Sequence, residues 1–151
     1  MQTITRRKAL GLGAGAALVL TVGDIRSVLA TPAETDAEIA KFTGGKALDK
    51  GKISIDLPEI AENGNTVPMT VTVESPMSEQ SHVTEVLVLA DGNPNAGVAT
   101  FHFSPASGVA EANTRIRLAA TQNIIAVAKM NDGSFQMASK QVKVTIGGCG
   151  G

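Results

Sequence analysis

Cysteine is nearly absent from this chain of 151 residues, which contains only Cys149. A lone thiol excludes an internal disulfide framework, because it has no partner in the chain. Cys149 stands near the C-terminus between two pairs of glycines, in the order Gly147-Gly148-Cys149-Gly150-Gly151. Glycine has wide backbone freedom and no side chain to pack, and chain ends are commonly solvated. The sequence therefore predicts a flexible arm over residues 147–151 that exposes a thiol.

Side chains that commonly carry catalysis are also scarce. The chain has two histidines, His82 and His102, and no tryptophan or tyrosine. Two histidines are too few for a metal site unless carboxylates help, and a surface position is the simpler interpretation of each. Arg115 and Arg117 share one strand face and could bind an anion, although a solvated face is the simpler interpretation. No paired-carboxylate, Ser-His-Asp or phosphate-loop arrangement stands out. We therefore expect a non-catalytic protein with no metal and no cofactor.

Residues 1–30 are typical of a Tat-like signal peptide. A basic region with paired arginines, Thr5-Arg6-Arg7-Lys8, precedes the apolar stretch Ala9 to Val22, and Val28-Leu29-Ala30 ends in a small residue. The pattern predicts export to the periplasm. Both Tat and Sec remain as routes, because Tat signals usually have a large apolar residue at the position where this chain has Ala9. A buried N-terminal helix is the alternative, which four glycines within the leader disfavour.

Charge and hydropathy exclude two classes of partner. Removal of the leader takes away four basic residues and the acidic Asp24, so the net charge changes from −1 to −4. A mildly acidic domain without a basic cluster is not expected to bind nucleic acid. The apolar stretch of the leader is short for a membrane span, and no other apolar stretch is long enough, so no membrane association is expected.

The rest of the chain alternates apolar and polar residues with a period of two, which is typical of β-strands. Turn residues separate about seven such runs, and Asp132-Gly133 between two of them is a strong hairpin signal. The pattern predicts an all-β fold, an immunoglobulin-like antiparallel β-sandwich, in a domain over residues 31–146. A short helix over Asp36–Phe42 is expected before it, with Thr35 or Asp36 as the N-cap and a stop at Gly44-Gly45.

Two of the predicted strands are apolar on both faces. The runs Val83–Leu89 and Asn123–Met130 lack the polar face that a central strand in a small sandwich normally keeps. Either a loop covers the outer face, or another protein does.

The neighbours of Cys149 do not activate its thiol. The thiolate is the nucleophile, yet no Lys, Arg or His lies within five residues and the C-terminal carboxylate is close. This pattern is typical of a carrier whose thiol is activated inside a partner. Glycine flanks would let backbone and thiol pass through a narrow channel, and the three residues from Ile146 to Cys149 would reach about 10 Å beyond the sandwich.

The chain resembles the SoxY family, the sulfur-carrier subunits of the bacterial thiosulfate-oxidising Sox system. The most specific part of this resemblance is the ending, from Val142 to Gly151. The other segments are Leu57–Asn65, Glu74–Met77, Ala90–Pro94 and Thr114–Leu118.

This resemblance implies that Cys149 covalently holds sulfur intermediates and that Gly147, Gly148, Gly150 and Gly151 form its carrier arm. It implies that a haem c enzyme conjugates thiosulfate to Cys149 as a cysteine S-thiosulfonate, and that a hydrolase releases the terminal sulfonate as sulfate. In some organisms a sulfane dehydrogenase then oxidises the remaining sulfur. It also implies a heterodimer with a SoxZ-like immunoglobulin-like subunit, which would explain the apolar strand faces.

Three alternatives remain open at this point. The chain is alternatively a β-sandwich binding or assembly protein whose terminal cysteine forms an intermolecular disulfide. A thiol peroxidase is disfavoured because no activating base stands near Cys149. Activation of the terminal Gly150-Gly151 as a thiocarboxylate would need ATP, which an exported protein lacks, and a β-grasp pattern with a central helix, which this sequence does not show.

Overall fold

The computed structural model describes residues 32–148, which form one helix and nine β-strands. The predicted leader, together with Thr31, lies outside the described residues. The elements in chain order are α1 (Pro32–Thr43), β1 (Leu48–Lys50), β2 (Ile53–Asp56), β3 (Ile60–Asn63), β4 (Val67–Val73), β5 (Val83–Ala90), β6 (Gly97–His102), β7 (Ala110–Ile116), β8 (Gln122–Met130) and β9 (Phe135–Ile146).

The strands form two sheets packed as a sandwich, which confirms the predicted fold class. The larger sheet has the order β1-β9-β8-β5-β6, with β3 also paired to β9, and the smaller has the order β2-β4-β7. Most pairings are antiparallel, but β1 and β3 run parallel to the beginning and the end of β9, respectively. These two short strands raise the strand count above the expected seven.

The strand patterns follow from burial of alternate residues. In β4, Val67, Met69, Val71 and Val73 are buried, while the residues between them are exposed or half-buried. They pack against inward residues of the larger sheet, and valine supplies much of this core. Branched side chains suit a pleated surface, so the core is filled without tryptophan or tyrosine.

The predicted hairpin at Asp132-Gly133 joins β8 to β9. Gly133 has φ 79°, a value that a side chain disfavours. The Ser134 hydroxyl and backbone N–H both donate to Asp132 Oδ1, at 2.6 and 2.8 Å. These hydrogen bonds lower the pKa of the Asp132 carboxyl. Asp132 is therefore a turn former, as expected.

Helix α1 is longer than expected and begins at Pro32, three residues before the predicted cap. Proline suits a first helical position because its missing N–H needs no partner there. Thr35, expected as a cap, is instead buried inside the helix. The predicted stop is confirmed, since Gly44 and Gly45 follow with φ of 63° and 76°.

The outer face of the larger sheet is covered in part by α1, whereas a loop or another protein was expected there. Ile39 of the helix forms a buried cluster with Leu89, Val127 and Phe135. The rings of Phe42 and Phe135 meet edge to face with centroids 5.7 Å apart. The apolar outer residues of β5 and β8 are thus partly explained by the chain's own helix. The face that α1 leaves half-buried includes Leu87, Ile125 and Met137.

Among residues 32–148, no helix has the length and apolar character that a membrane crossing needs.

Helix α1 should contribute measurably to stability. We expect Ile39→Ala to lower the free energy of unfolding by about 2 kcal/mol, because it removes buried methyl and methylene groups from the helix–sheet contact. Guanidinium unfolding followed by circular dichroism would measure this. Lys41→Ala, on the exposed side of the same helix, should change stability by less than about 0.5 kcal/mol. Equal stabilities of the two variants would contradict the covering role of α1.

Candidate functional site

The structure describes the first two residues of the predicted arm, Gly147 and Gly148, which we call the arm root. Cys149, Gly150 and Gly151 lie outside the described residues, so the structure does not test the attachment site itself. The arm root directly follows β9 and is one peptide bond from Cys149. Its surroundings therefore define the place from which the thiol is presented.

Strand β3 and the residue after it hold the end of β9. Asn63 is paired with Ile146, the last residue of β9. The Gly64 N–H donates to the Ile146 carbonyl oxygen at 2.7 Å. The chain therefore enters the arm root from a position held by backbone hydrogen bonds.

Gly148 is itself hydrogen-bonded to the body of the domain. Its N–H donates to the Leu118 carbonyl oxygen at 2.8 Å, and the Leu118 N–H donates to the Gly64 carbonyl oxygen at 2.8 Å. Gly148 is buried in spite of its place near the C-terminus. Three backbone segments, after β3, after β7 and after β9, thus meet at Gly64, Leu118 and Gly148.

This meeting leaves no room for side chains. A Cβ atom on Gly147 would overlap the Ala119 carbonyl oxygen, and one on Gly148 would lie 2.8 Å from the Gly64 carbonyl oxygen. A Cβ atom on Gly64 would overlap the Leu118 carbonyl oxygen and lie 2.8 Å from the Gly148 nitrogen. Close approach of backbones is therefore the reason for these glycines, since none of the three has a positive φ.

The arm root differs from the flexible segment expected from sequence. Gly147 and Gly148 pack on Ala119 and Gly64, because glycine permits close contact as well as freedom. The estimated reach of 10 Å assumed a free chain from Ile146 onward. Because Gly148 is hydrogen-bonded to Leu118, Gly147 and Gly148 do not add to that reach. For Cys149, Gly150 and Gly151 the flexible arm stays a prediction.

A buried amide pair holds the segment on which the arm root rests. Asn93 is 2% exposed and Gln122 is 3% exposed. Asn93 donates from Nδ2 to the Arg117 carbonyl oxygen at 2.8 Å, and its Oδ1 accepts from Ala119 N–H and Gln122 Nε2, each at 2.9 Å. Gln122 Nε2 also donates to the Ala120 carbonyl oxygen at 3.1 Å. Both amides therefore fix residues 117–120.

The sequence alone did not place Asn93 at the site. The available signal was the resemblance, because Asn93 lies in Ala90–Pro94, one of the resembling segments. Two others, Leu57–Asn65 and Thr114–Leu118, contribute Gly64 and Leu118 to the same place. The structure thus brings three separated segments together around the arm root.

The two histidines lie away from the arm root. His82 precedes β5, and its Nδ1 is 2.9 Å from the Ser78 carbonyl oxygen. His102 is exposed at the end of β6, 3.9 Å from Glu85. Both lie at the starting end of β5, whereas Asn93 follows its other end. Neither histidine is placed beside the arm root, where it could serve as a base for the thiol.

Asp91 and the two arginines have no catalytic partner among the residues that the structure describes. Asp91 accepts from the Asn123 backbone N–H at 2.8 Å and from the Asn123 side-chain amide at 2.7 Å, so it joins the turn after β5 to the start of β8. Arg115 and Arg117 are exposed, as expected for a solvated face. Arg117 is nevertheless the residue before Leu118, so it lies near the arm root.

No group of three or more His, Cys, Asp or Glu side chains within residues 32–148 could hold a metal ion.

Comparison with known proteins identifies the family. A model of the family described as "Sulfur oxidation protein SoxY" matches residues 39–149. This chain belongs to the SoxY family. The SoxY match includes Cys149 and all three segments at the arm root. The resemblance inferred from sequence is thereby confirmed.

Solved structures agree with the SoxY fold. The sulfur carrier protein SoxY from Chlorobium limicola f thiosulfatophilum is 32% identical, with a TM-score of 0.64 over 74% of this chain and 92% of that chain. A superoxide reductase (neelaredoxin) from Ignicoccus hospitalis is 16% identical, with a TM-score of 0.56 over 78% and 95% of the two chains. At that identity the likeness shows the fold alone. A comparison with curated proteins found no match.

The close packing at the arm root predicts that an added methyl group destabilises the domain at Gly64 but not at Gly97. Gly64→Ala should push Leu118 away from Gly148 and lower the free energy of unfolding by about 1–3 kcal/mol, as overpacking does. Amide hydrogen exchange at Gly148 and Leu118 should accelerate. Gly97→Ala is the matched control, because a Cβ there meets nothing within 4 Å. Unchanged exchange at Gly148 in Gly64→Ala would contradict the packed arm root.

Proposed function

We propose that this chain is a covalent carrier of sulfur intermediates in thiosulfate oxidation, with Cys149 as the attachment site. The observation that carries the proposal is the packing of the arm root. There, three segments that resemble the SoxY family hold Gly148 in place, and Cys149 is the next residue. Membership of the SoxY family supports the same role. Carriage needs an accessible thiol on a defined tether, and the fold builds that tether with backbone contacts.

The proposed chemistry makes Cys149 a reactant that partner enzymes activate. Conjugation joins the Cys149 sulfur to the terminal sulfur of thiosulfate, which releases one proton and transfers two electrons to a haem c enzyme. Hydrolysis by a second enzyme then cleaves the bond to the sulfonate and releases sulfate, so that a persulfide remains on Cys149. Where a sulfane dehydrogenase exists, it oxidises that sulfur. The carrier itself supplies attachment and presentation.

The tether length constrains how partners approach. Consecutive Cα atoms are about 3.8 Å apart, so the thiol sulfur lies within roughly 7 Å of the Gly148 Cα when the arm root is hydrogen-bonded. An enzyme that receives the thiol must then contact the surface around the arm root. Ile146, which is 66% exposed beside it, is an apolar contact for such an enzyme. Release of Gly147 and Gly148 would add about 7 Å of reach.

The remaining parts of the proposal concern assembly and location. We propose a heterodimer with a SoxZ-like subunit, and the half-buried strip Leu87, Ile125 and Met137 suits a protein partner. We also propose that residues 1–30 direct export to the periplasm, where the haem c enzyme and the hydrolase would act. Neither nucleic acid nor membrane is included among the partners.

Replacement of the thiol is the direct test. Cys149→Ser should abolish thiosulfate oxidation in a system reconstituted from the partner enzymes, because a hydroxyl does not form the disulfide-type bond to sulfur. Intact-mass analysis of the wild-type chain should show a gain of one thiosulfate unit that the variant lacks. Thr145→Ala, at an exposed position of β9, is the control and should keep both the activity and the mass gain. Thiosulfate oxidation at the wild-type rate in Cys149→Ser would refute the carrier role.

The second candidate function is an assembly protein whose Cys149 forms an intermolecular disulfide. It uses the same terminal thiol but needs no sulfur cargo. Non-reducing electrophoresis combined with an activity assay distinguishes the two functions. A disulfide dimer that is the active species favours assembly, whereas activity confined to the reduced or sulfur-loaded monomer favours carriage.

A further inference from the structure

Asn63-Gly64, which holds the end of β9, is the one place in this chain where asparagine precedes glycine. An asparagine side chain can react with the backbone nitrogen of the next residue to form a cyclic succinimide. Glycine at that next position favours the reaction, because it has no side chain to hinder the approach and little conformational restriction. The contact between β3 and the arm root therefore contains a pair of residues with a strong chemical tendency to deamidate.

One hydrogen bond prepares the electrophile of this reaction. Asn63 is exposed, so water and base reach its side chain. The Asn65 N–H donates to Asn63 Oδ1 at 2.9 Å, the local turn in which an asparagine side chain folds back over its own backbone. Donation to this oxygen draws electron density from Asn63 Cγ, the carbon that is attacked. The side chain of Asn63 is thus already polarised for attack in the folded protein.

The nucleophile, by contrast, is held by the end of the chain. The Gly64 N–H donates to the Ile146 carbonyl oxygen at 2.7 Å, and the Gly64 carbonyl oxygen accepts from the Leu118 N–H at 2.8 Å. Attack on Asn63 Cγ requires that the Gly64 nitrogen lose this proton and that its peptide plane turn toward the side chain. Gly64 is buried, and Gly148 and Leu118 pack directly against it. The peptide therefore cannot turn while the arm root is packed.

We propose that Asn63-Gly64 is a latent deamidation site, which the packed arm root keeps closed and which release of the arm root opens. In the reaction, the Gly64 nitrogen bonds to Asn63 Cγ and gives up its proton, while the side-chain nitrogen of Asn63 leaves as ammonia. Water then opens the ring at either carbonyl, which gives aspartate or isoaspartate. Nothing is oxidised or reduced, and water is the only co-reactant. The inference concerns the arm root alone and does not depend on the carrier function.

Modification would make the release of the arm root permanent. An isoaspartate runs the main chain through its side-chain carbon, so a methylene group is added just before Gly64. The packing there has no room for a further carbon, since a Cβ on Gly64 would overlap the Leu118 carbonyl oxygen and lie 2.8 Å from the Gly148 nitrogen. Both backbone hydrogen bonds of Gly64 would be lost, and with them the position of Gly148. The modified chain would keep the Cys149 thiol but lose the fixed point from which it is presented.

Opening of the arm root should accelerate deamidation at Asn63. Gly148→Ala places a Cβ 2.8 Å from the Gly64 carbonyl oxygen. In the full chain at mildly alkaline pH, we expect it to raise the deamidation rate about tenfold, the factor that corresponds to the loss of a backbone hydrogen bond. Peptide mapping by mass spectrometry measures this rate. Gly97→Ala is the matched control, because a Cβ there meets nothing within 4 Å, and it should keep the wild-type rate. Equal rates in Gly148→Ala and the wild type would overturn the inference.

A second measurement uses the unsubstituted chain and decides the question even if Gly148→Ala unfolds as a whole. Wild-type molecules that have deamidated gain a negative charge, so anion exchange separates them. Their isoaspartyl fraction should show faster amide hydrogen exchange at Gly148 and Leu118 than the unmodified chain. Asn63→Asp is the control, because it has the same charge with a normal backbone, and it should exchange at the wild-type rate. Exchange at the wild-type rate in the isoaspartyl fraction would refute the proposed link between this site and the arm root.

Discussion

The close approach of three backbone segments at Gly64, Leu118 and Gly148 is the constraint on which the candidate site depends. Each segment donates or accepts a backbone hydrogen bond of 2.8 Å there, and the absence of side chains on Gly64 and Gly148 permits it. Buried backbone groups require partners, so the end of the chain satisfies groups that the loops after β3 and β7 would otherwise leave open. The tail is in this respect part of the domain.

This constraint divides the terminal glycines by role. Packing requires that Gly147 and Gly148 have no side chains. Gly150 and Gly151 follow the thiol, and for them the prediction of an arm that enters a partner stands. A carrier benefits from both parts, because a fixed starting point limits the volume that the thiol explores and thereby raises its local concentration at a docked enzyme. The buried pair Asn93 and Gln122 extends the fixed part into the body of the larger sheet.

Sequence patterns predicted the strands that carry the core. β4, β5 and β8 lie where the alternating and apolar runs stand, and the Asp132-Gly133 turn joins β8 to β9 because both residues favour that conformation. The short strands β1 and β3 were missed, because three or four residues at a sheet edge bury too little to show a period. Helix α1 was predicted too short, since proline and threonine at its start are ambiguous without the sheet that buries Thr35 and Ile39.

The sequence by itself determined the chemistry of this protein: one thiol, its glycine neighbours, a β-sandwich pattern and the SoxY resemblance are all local or compositional features. Only the tertiary structure decided that Gly148 is hydrogen-bonded to Leu118, that Asn93 is buried beneath the same segment, and that Arg117 lies beside it. These relations join residues far apart along the chain, and they depend on distances of a few ångströms between backbones. No periodicity in the sequence records such distances, because they are set by the way two sheets and their loops pack.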